Sequence, residues 1–189
     1  RGEMLESFLD ETYNKNNGFN SLFFANLLLK KIAVEGTCSK SSLTGCIENM
    51  PSDLVDRLAA VNVLSITPAD QGSDEQVSFS LDTFQEFYRA KYIIDKLRND
   101  KTLSLYSLAE DQCRFNPNSA TDFETLKLIF EISSSPLCHR KMGERSEEAA
   151  RMAAVKMSAR IAKDFLNPQE SLDVPHNEGD PDVLSKEKA

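Results

Sequence analysis

The stretch Val77-Ser78-Phe79-Ser80-Leu81-Asp82-Thr83-Phe84-Gln85-Glu86-Phe87-Tyr88-Arg89-Ala90 changes its period part way along. Val77 and Phe79 stand two apart, the spacing of one face of a short strand. From Phe84 onward the spacing is helical, with Phe84, Phe87, Ala90, Ile94 and Leu97 on one face. A strand that runs into a helix within two residues is therefore expected. Asp82 is expected to cap the helix by accepting first-turn amide hydrogens, with Gln85, three residues on, placed as a capping-box partner.

Working upstream, Val63-Leu64-Ser65-Ile66-Thr67 has the branched character of a strand. The polar, turn-forming run Pro68-Ala69-Asp70-Gln71-Gly72-Ser73-Asp74-Glu75 separates it from Val77, which predicts a β-hairpin with a long tip. Pro51-Ser52-Asp53 starts a helix through Leu54, Val55, Leu58 and Val61, and Ser39 to Met50 reads as a weaker one. Ser21 to Val34 is apolar on almost every side and predicts a central core helix, with Gly36 as its stop. Met4, Leu5, Phe8 and Leu9 stripe a first helix that ends at Asn14-Lys15-Asn16-Asn17-Gly18.

Downstream of Asn99-Asp100 the pattern is helical, at about 103–109, 122–132 and 144–166. In the last of these Met152, Val155, Ala159, Ala162 and Leu166 predict one packing stripe, and Ala149, Ala150, Ala153 and Ala154 would let a neighbouring helix approach closely. Past Asn167 the chain is acidic, with Pro168, Pro175, Gly179 and Pro181 and few apolar residues, and is expected to be disordered. The expected organisation is mainly α: a winged-helix domain with a small β-hairpin over 1–99, a helical domain over 100–166, and an acidic tail over 167–189.

The segment Phe79-Ser80-Leu81-Asp82-Thr83-Phe84-Gln85-Glu86-Phe87, followed by Ala90 and Tyr92, resembles the end of the winged-helix domain of NACHT-type NTPases, the NOD-like receptor group. There a Phe-x-His strand runs into a Ser/Thr-Phe-Gln-Glu-Phe helix. The upstream runs Met4-Leu5-Glu6-Ser7-Phe8-Leu9 and 27–36 are similar to the first helices of the same domain. The likeness covers roughly the first half of the chain. It implies a cytoplasmic regulatory fragment of an innate immune switch protein, packing against the nucleotide-binding domain of the same parent chain, with homo-oligomerisation on activation and ATP or ADP bound elsewhere in the parent. One departure matters. The family histidine that touches bound diphosphate is replaced by Leu81, which has no donor and no charge.

Composition sets further bounds. The chain has 189 residues, 40% of them hydrophobic, and a formal charge of -8. No apolar run approaches the roughly 20 residues of a membrane span, since Lys30-Lys31 interrupts the longest. The first residue is Arg1, without the order of a signal peptide, and a fragment of something longer is expected. Cys38, Cys46, Cys113 and Cys138 lack paired zinc spacing, and the adjacent Cys138 and His139 are an unusual ligand pair, so reduced structural thiols are expected.

No glycine begins Gly-x-x-x-x-Gly-Lys-Ser/Thr, so this fragment is not expected to hydrolyse nucleotide or to hold a cofactor. Gln85 and Glu86 on the first turn of a helix more simply serve backbone and dipole than catalysis. His139 and His176 have no recognisable partner, and Ser133-Ser134-Ser135 reads as a loop before Pro136. DNA binding by a winged helix is disfavoured because the hairpin tip carries Asp70, Asp74 and Glu75 and no cation. The bases Arg140, Lys141, Arg145, Arg151, Lys156, Arg160 and Lys163 read as a solvated helix face. Phe84, Phe87 and Tyr88 should be largely buried, whereas Tyr88, Arg89, Lys91 and Tyr92 combine apolar bodies with polar ends and are the candidates for contact with an adjacent domain. The competing reading is a free-standing winged-helix adaptor for protein partners, with a DNA-binding winged helix third.

Overall fold

The computed structural model describes residues 2–14, 19–68, 73–111 and 115–167. In chain order the elements are α1 (Gly2–Asn14), α2 (Phe19–Glu35), β1 (Cys38–Ser39), α3 (Lys40–Thr44), α4 (Leu54–Ala60), β2 (Leu64–Thr67), β3 (Gln76–Phe79), α5 (Asp82–Asn99), α6 (Leu105–Asp111), α7 (Phe123–Ser134), α8 (Pro136–Lys141) and α9 (Glu147–Leu166). The fold is mainly helical with one small antiparallel sheet, ordered β1-β3-β2. The expected acidic tail, the Lys15–Gly18 turn, the Asp70 end of the hairpin, and Cys113 and His176 lie outside the described residues.

The expected hairpin is present. Leu64 pairs with Phe79 and Ile66 with Val77, so the two-residue period puts Leu64 and Val77 into the core. The third strand, β1, pairs Cys38 with Val77 where a weak helix was expected to begin. That helix is reduced to one turn, α3, which Ser39 caps by accepting from Ser42 N. The acidic residues after the hairpin tip act as ties: Asp74 accepts from Ser41 N at 2.8 Å, and Glu75 pairs with Lys40 at 3.0 Å.

Helix α2 is the core helix the sequence predicts on one side only. Ala25, Leu28, Leu29, Ile32 and Ala33 are fully buried, whereas Phe23 and Leu27 on the other side are exposed. Gly36 ends it with φ 84 while its N–H closes on Ile32 O at 2.8 Å, the left-handed stop that glycine adopts without steric cost. In α1, Met4 and Phe8 of the predicted stripe are exposed. Its first turn is held instead by polar ends: Gly2 N donates to Glu131 Oε2 at 3.1 Å, and Ser135 Oγ donates to Glu3 Oε1 at 2.5 Å.

Two expectations about the C-terminal helices need correction. Ser133 to Pro136 is not a loop. Pro136 occupies the first turn of α8, where its missing N–H costs nothing, and Ser135 Oγ accepts from Cys138 N at 3.2 Å as the cap. In α9 the buried face is Ala150, Ala154, Met157 and Ile161, while Met152, Val155, Ala159 and Leu166 of the expected packing stripe face outward. The alanines decide this, because small side chains let α7 and α8 come close. Arg160 does not lie on a solvated face: its guanidinium donates to the carbonyls of Leu97, Asp100 and Leu103, satisfying the C-terminal end of α5.

The buried apolar residues form one continuous cluster from Ala25 to Ile161, across the boundary expected near residue 99. Helix α5 is the reason, since it packs on α2 along one side and on α7 along the other. Its Phe87, Ile93, Ile94 and Leu97 are fully buried and belong to that one cluster.

Candidate functional site

The motif residues and the candidates for contact with an adjacent domain all lie on β3, α5 and the junction between them. The backbone of Leu81 is extended, with φ -137 and ψ 135, and Leu81 O accepts from Phe84 N at 3.0 Å, which makes Leu81 the N-cap. Asp82 is therefore the first helical residue rather than the cap. Among the described residues no side chain closes a capping bond here, and the expected Asp82–Gln85 arrangement is corrected on that ground: from inside the first turn the Asp82 carboxylate favours the helix dipole but stands one residue too late to cap. Leu81 is 59% exposed.

One turn on, the expected aromatic packing is present. Phe84, Phe87 and Tyr88 are buried. Tyr88 stacks on Phe79 with centroids 6.0 Å apart and meets Phe87 edge-on at 5.4 Å, so strand and helix are locked ring to ring across the junction. Phe84 also stacks on Phe8 of α1 at 6.1 Å.

The four candidates for contact with another domain divide. Tyr88 and Lys91 do not reach the surface, being only 1% and 7% exposed. Helical spacing puts both on the flank of α5 that the hairpin and α2 cover. Arg89 works inside the chain: Nε donates to Ala33 O at the end of α2 at 3.3 Å, and Nη1 pairs with Asp122 at 3.2 Å, just ahead of α7. Tyr92 is half-buried against the core, with the Lys96 ammonium 5.3 Å from its ring centre.

Lys91 lines a cleft of about 460 Å³ between α2, α5 and the end of α8, together with Asn26, Lys30, Asp95 and Lys141. The Lys91 ammonium sits over the rings of Phe87 and Tyr88 at 5.4 and 5.8 Å, and 3.5 Å from Asn26 Oδ1. Asn26 is itself oriented, because its amide donates to Leu22 O at 3.0 Å. Lys30 pairs with Asp95 across the cleft. Three lysines and one carboxylate line this wall, and the carboxylate is the one Lys30 pairs with. Asn26 and Asp95 carry no signal in the sequence, and Lys141 reads there only as part of a solvated face, since residues so far apart meet only where α2, α5 and the end of α8 come together.

Two other reactive side chains are accounted for by packing. Burial, followed by the neighbouring Glu35 carboxylate, pushes the Cys38 thiol up to about 11, away from nucleophilic use. His139 is fully buried, with Nε2 donating to Ser133 O at 2.9 Å and Nδ1 without a hydrogen-bond partner among the described residues. Burial lowers its pKa, and the Arg98 charge adds to that effect. Among the described residues no group of three or more His, Cys, Asp or Glu side chains is placed to hold a metal ion, and no helix is long and apolar enough to cross a membrane. Comparison of the chain with protein-family models, with curated proteins and with solved structures finds no match.

Proposed function

We propose that this chain is a regulatory, non-catalytic piece of a cytoplasmic NACHT-type NTPase, a winged helix and its following helical domain, that packs on the nucleotide-binding domain of the same parent chain. The observation that carries the reading is the β3–α5 junction. A hairpin strand ending in Phe79 passes through an exposed, extended Leu81 into a helix whose Phe84, Phe87 and Tyr88 fill the core. This is the architecture the Phe-Gln-Glu-Phe resemblance implies, and it leaves the family-histidine position turned outward, where a facing domain would meet it.

The module works as a mechanical element. The support for this is that α5 packs on both α2 and α7 within one hydrophobic cluster, so a contact made at residue 81 would act on the sheet and the C-terminal helices as one body. Packing on the nucleotide-binding domain favours a closed state; release favours assembly into an oligomer. Leu81 supplies no donor to a diphosphate, so ATP or ADP acts through the parent's own phosphate loop and reaches this module by shape.

The test is to read the coding sequence upstream of Arg1 for a strand, Gly-x-x-x-x-Gly-Lys-Ser/Thr and a helix in that order, and then to measure hydrogen exchange of residues 79–87 in the parent chain with and without ADP. ADP-dependent protection there is expected. An initiator Met with no phosphate loop would overturn the reading in favour of a free-standing adaptor, and salt-dependent DNA binding would favour the nucleic-acid reading.

A further inference from the structure

Helix α9 carries two apolar stripes, and the fold buries only one. Ala150, Ala154, Met157 and Ile161 face α7 and α8. About half a turn around the helix, Met152, Val155 and Leu166 are 52, 64 and 76% exposed, with Ala159 exposed between them. Sustained helical spacing of apolar residues marks a face that packs, and a contiguous exposed one marks an interaction surface. Lys156 and Lys163 stand beside this stripe, both exposed. The occupant should therefore be apolar with acidic flanks.

Such a segment follows α9 directly. Residues 168–189 carry Glu170, Asp173, Glu178, Asp180, Asp182 and Glu187 against Lys186 and Lys188, and their apolar side chains fall in two groups, Leu172 with Val174 and Val183 with Leu184. The lengths match. Leu166 and Met152 lie about 21 Å apart along a helix rising 1.5 Å per residue. The chain from Leu172 to Val183 can span up to roughly 36 Å, enough to cover that distance once the chain has turned back after Asn167.

We propose that the outer face of α9 is the docking surface for the chain's own acidic segment 168–189, with Leu172 and Val174 against the Leu166 end, Val183 and Leu184 against Met152 and Val155, and the carboxylates along Lys156 and Lys163. The tether keeps the segment at high local concentration, so a small surface suffices. Docking covers the face and makes its availability to any other partner depend on release of the segment.

Methionine methyl resonances of the full chain test this, because Met152 reports on the outer stripe and the buried Met157 on the fold. The Leu172→Ser/Leu184→Ser variant is expected to shift the Met152 methyl toward the position of a solvated methionine and to leave Met157 in place. About 1 M salt, where screening extends only ~3 Å, is expected to move Met152 in the same direction. A Met152 resonance identical in the variant and the parent overturns the proposal. A Met152 shift that depends on protein concentration overturns it too, and assigns the face to a second copy of the chain.

Discussion

The Arg89–Asp122 pair joins α5 to the start of α7 and lends itself to a quantitative test of how the two halves cohere. The groups are 3.2 Å apart, and their side chains are 14 and 13% exposed. At an effective dielectric of 20 their gross attraction is about 5 kcal/mol, most of which desolvation cancels. Removing one partner is a different matter, because the other charge is left with little water. Exposed pairs cost up to ~1 kcal/mol to break and fully buried ones about 3–5 kcal/mol, which brackets this pair at about 2–3 kcal/mol. Arg89→Met keeps the apolar stem but also loses the bond to Ala33 O, adding ~1 kcal/mol. In Asp122→Asn the amide oxygen can still accept from Asn116 N and Arg89 keeps its bond to Ala33 O, so this variant should be milder, about 1–2 kcal/mol. The double variant should cost less than the sum of the two by at least ~1 kcal/mol. Urea unfolding of the four proteins followed by far-ultraviolet circular dichroism measures the cycle, and a single transition with unchanged slope is expected throughout. Additivity within about 0.3 kcal/mol would refute the pair as a coupling element. A biphasic transition would refute the shared core.

Phe87→Ala should cost about 3–5 kcal/mol, and Phe84→Ala/Phe87→Ala should unfold the chain; a double variant that keeps a cooperative thermal transition would show the core assignment to be wrong. The buried His139 has a folded pKa below the unfolded value of about 6.5, so the unfolded state takes up the proton first and stability falls as pH drops from above that value toward the folded pKa. His139→Gln, which can still donate to Ser133 O, should flatten the pH dependence of unfolding in that window, and an unchanged profile would remove His139 as its source. Iodoacetamide at neutral pH should label the exposed Cys46 well before the buried Cys38 and Cys138, as read by peptide mass spectrometry; equal rates would contradict the burial of Cys38.

The features legible in the sequence were those set by local period. The switch from two-residue to helical spacing between Phe79 and Phe84, the hairpin and the stop at Gly36 all follow from side-chain alternation and backbone preference within a few residues. What was not legible needed a neighbour. Strand β1 is two residues long and exists because Cys38 and Ser39 meet the free edge of β3, a main-chain event with no side-chain signature. Helix α8 was masked by Pro136, which reads as a breaker unless Ser135 is recognised as the cap ahead of it. In α9 two stripes shared one helical period, and the larger side chains drew the assignment to the wrong side. Tyr88, Arg89 and Lys91 were singled out as amphipathic, but their role depended on α2 and Asp122 lying against them. The cleft, drawn from three separate helices, was beyond any local reading.

The N-cap at Leu81 has an evolutionary consequence. Its extended backbone already suits serine, threonine or aspartate, any of which would add a capping bond typically worth about 0.5–2 kcal/mol, so leucine here forgoes stability that a single substitution would recover. Its side chain, largely in solvent, leaves little packing to lose. Position 81 can thus be rewritten to histidine, to a hydroxyl or to a larger apolar group with little penalty to the fold. That tolerance lets the surface chemistry at the start of α5 change by neutral steps, without first destabilising the scaffold that presents it.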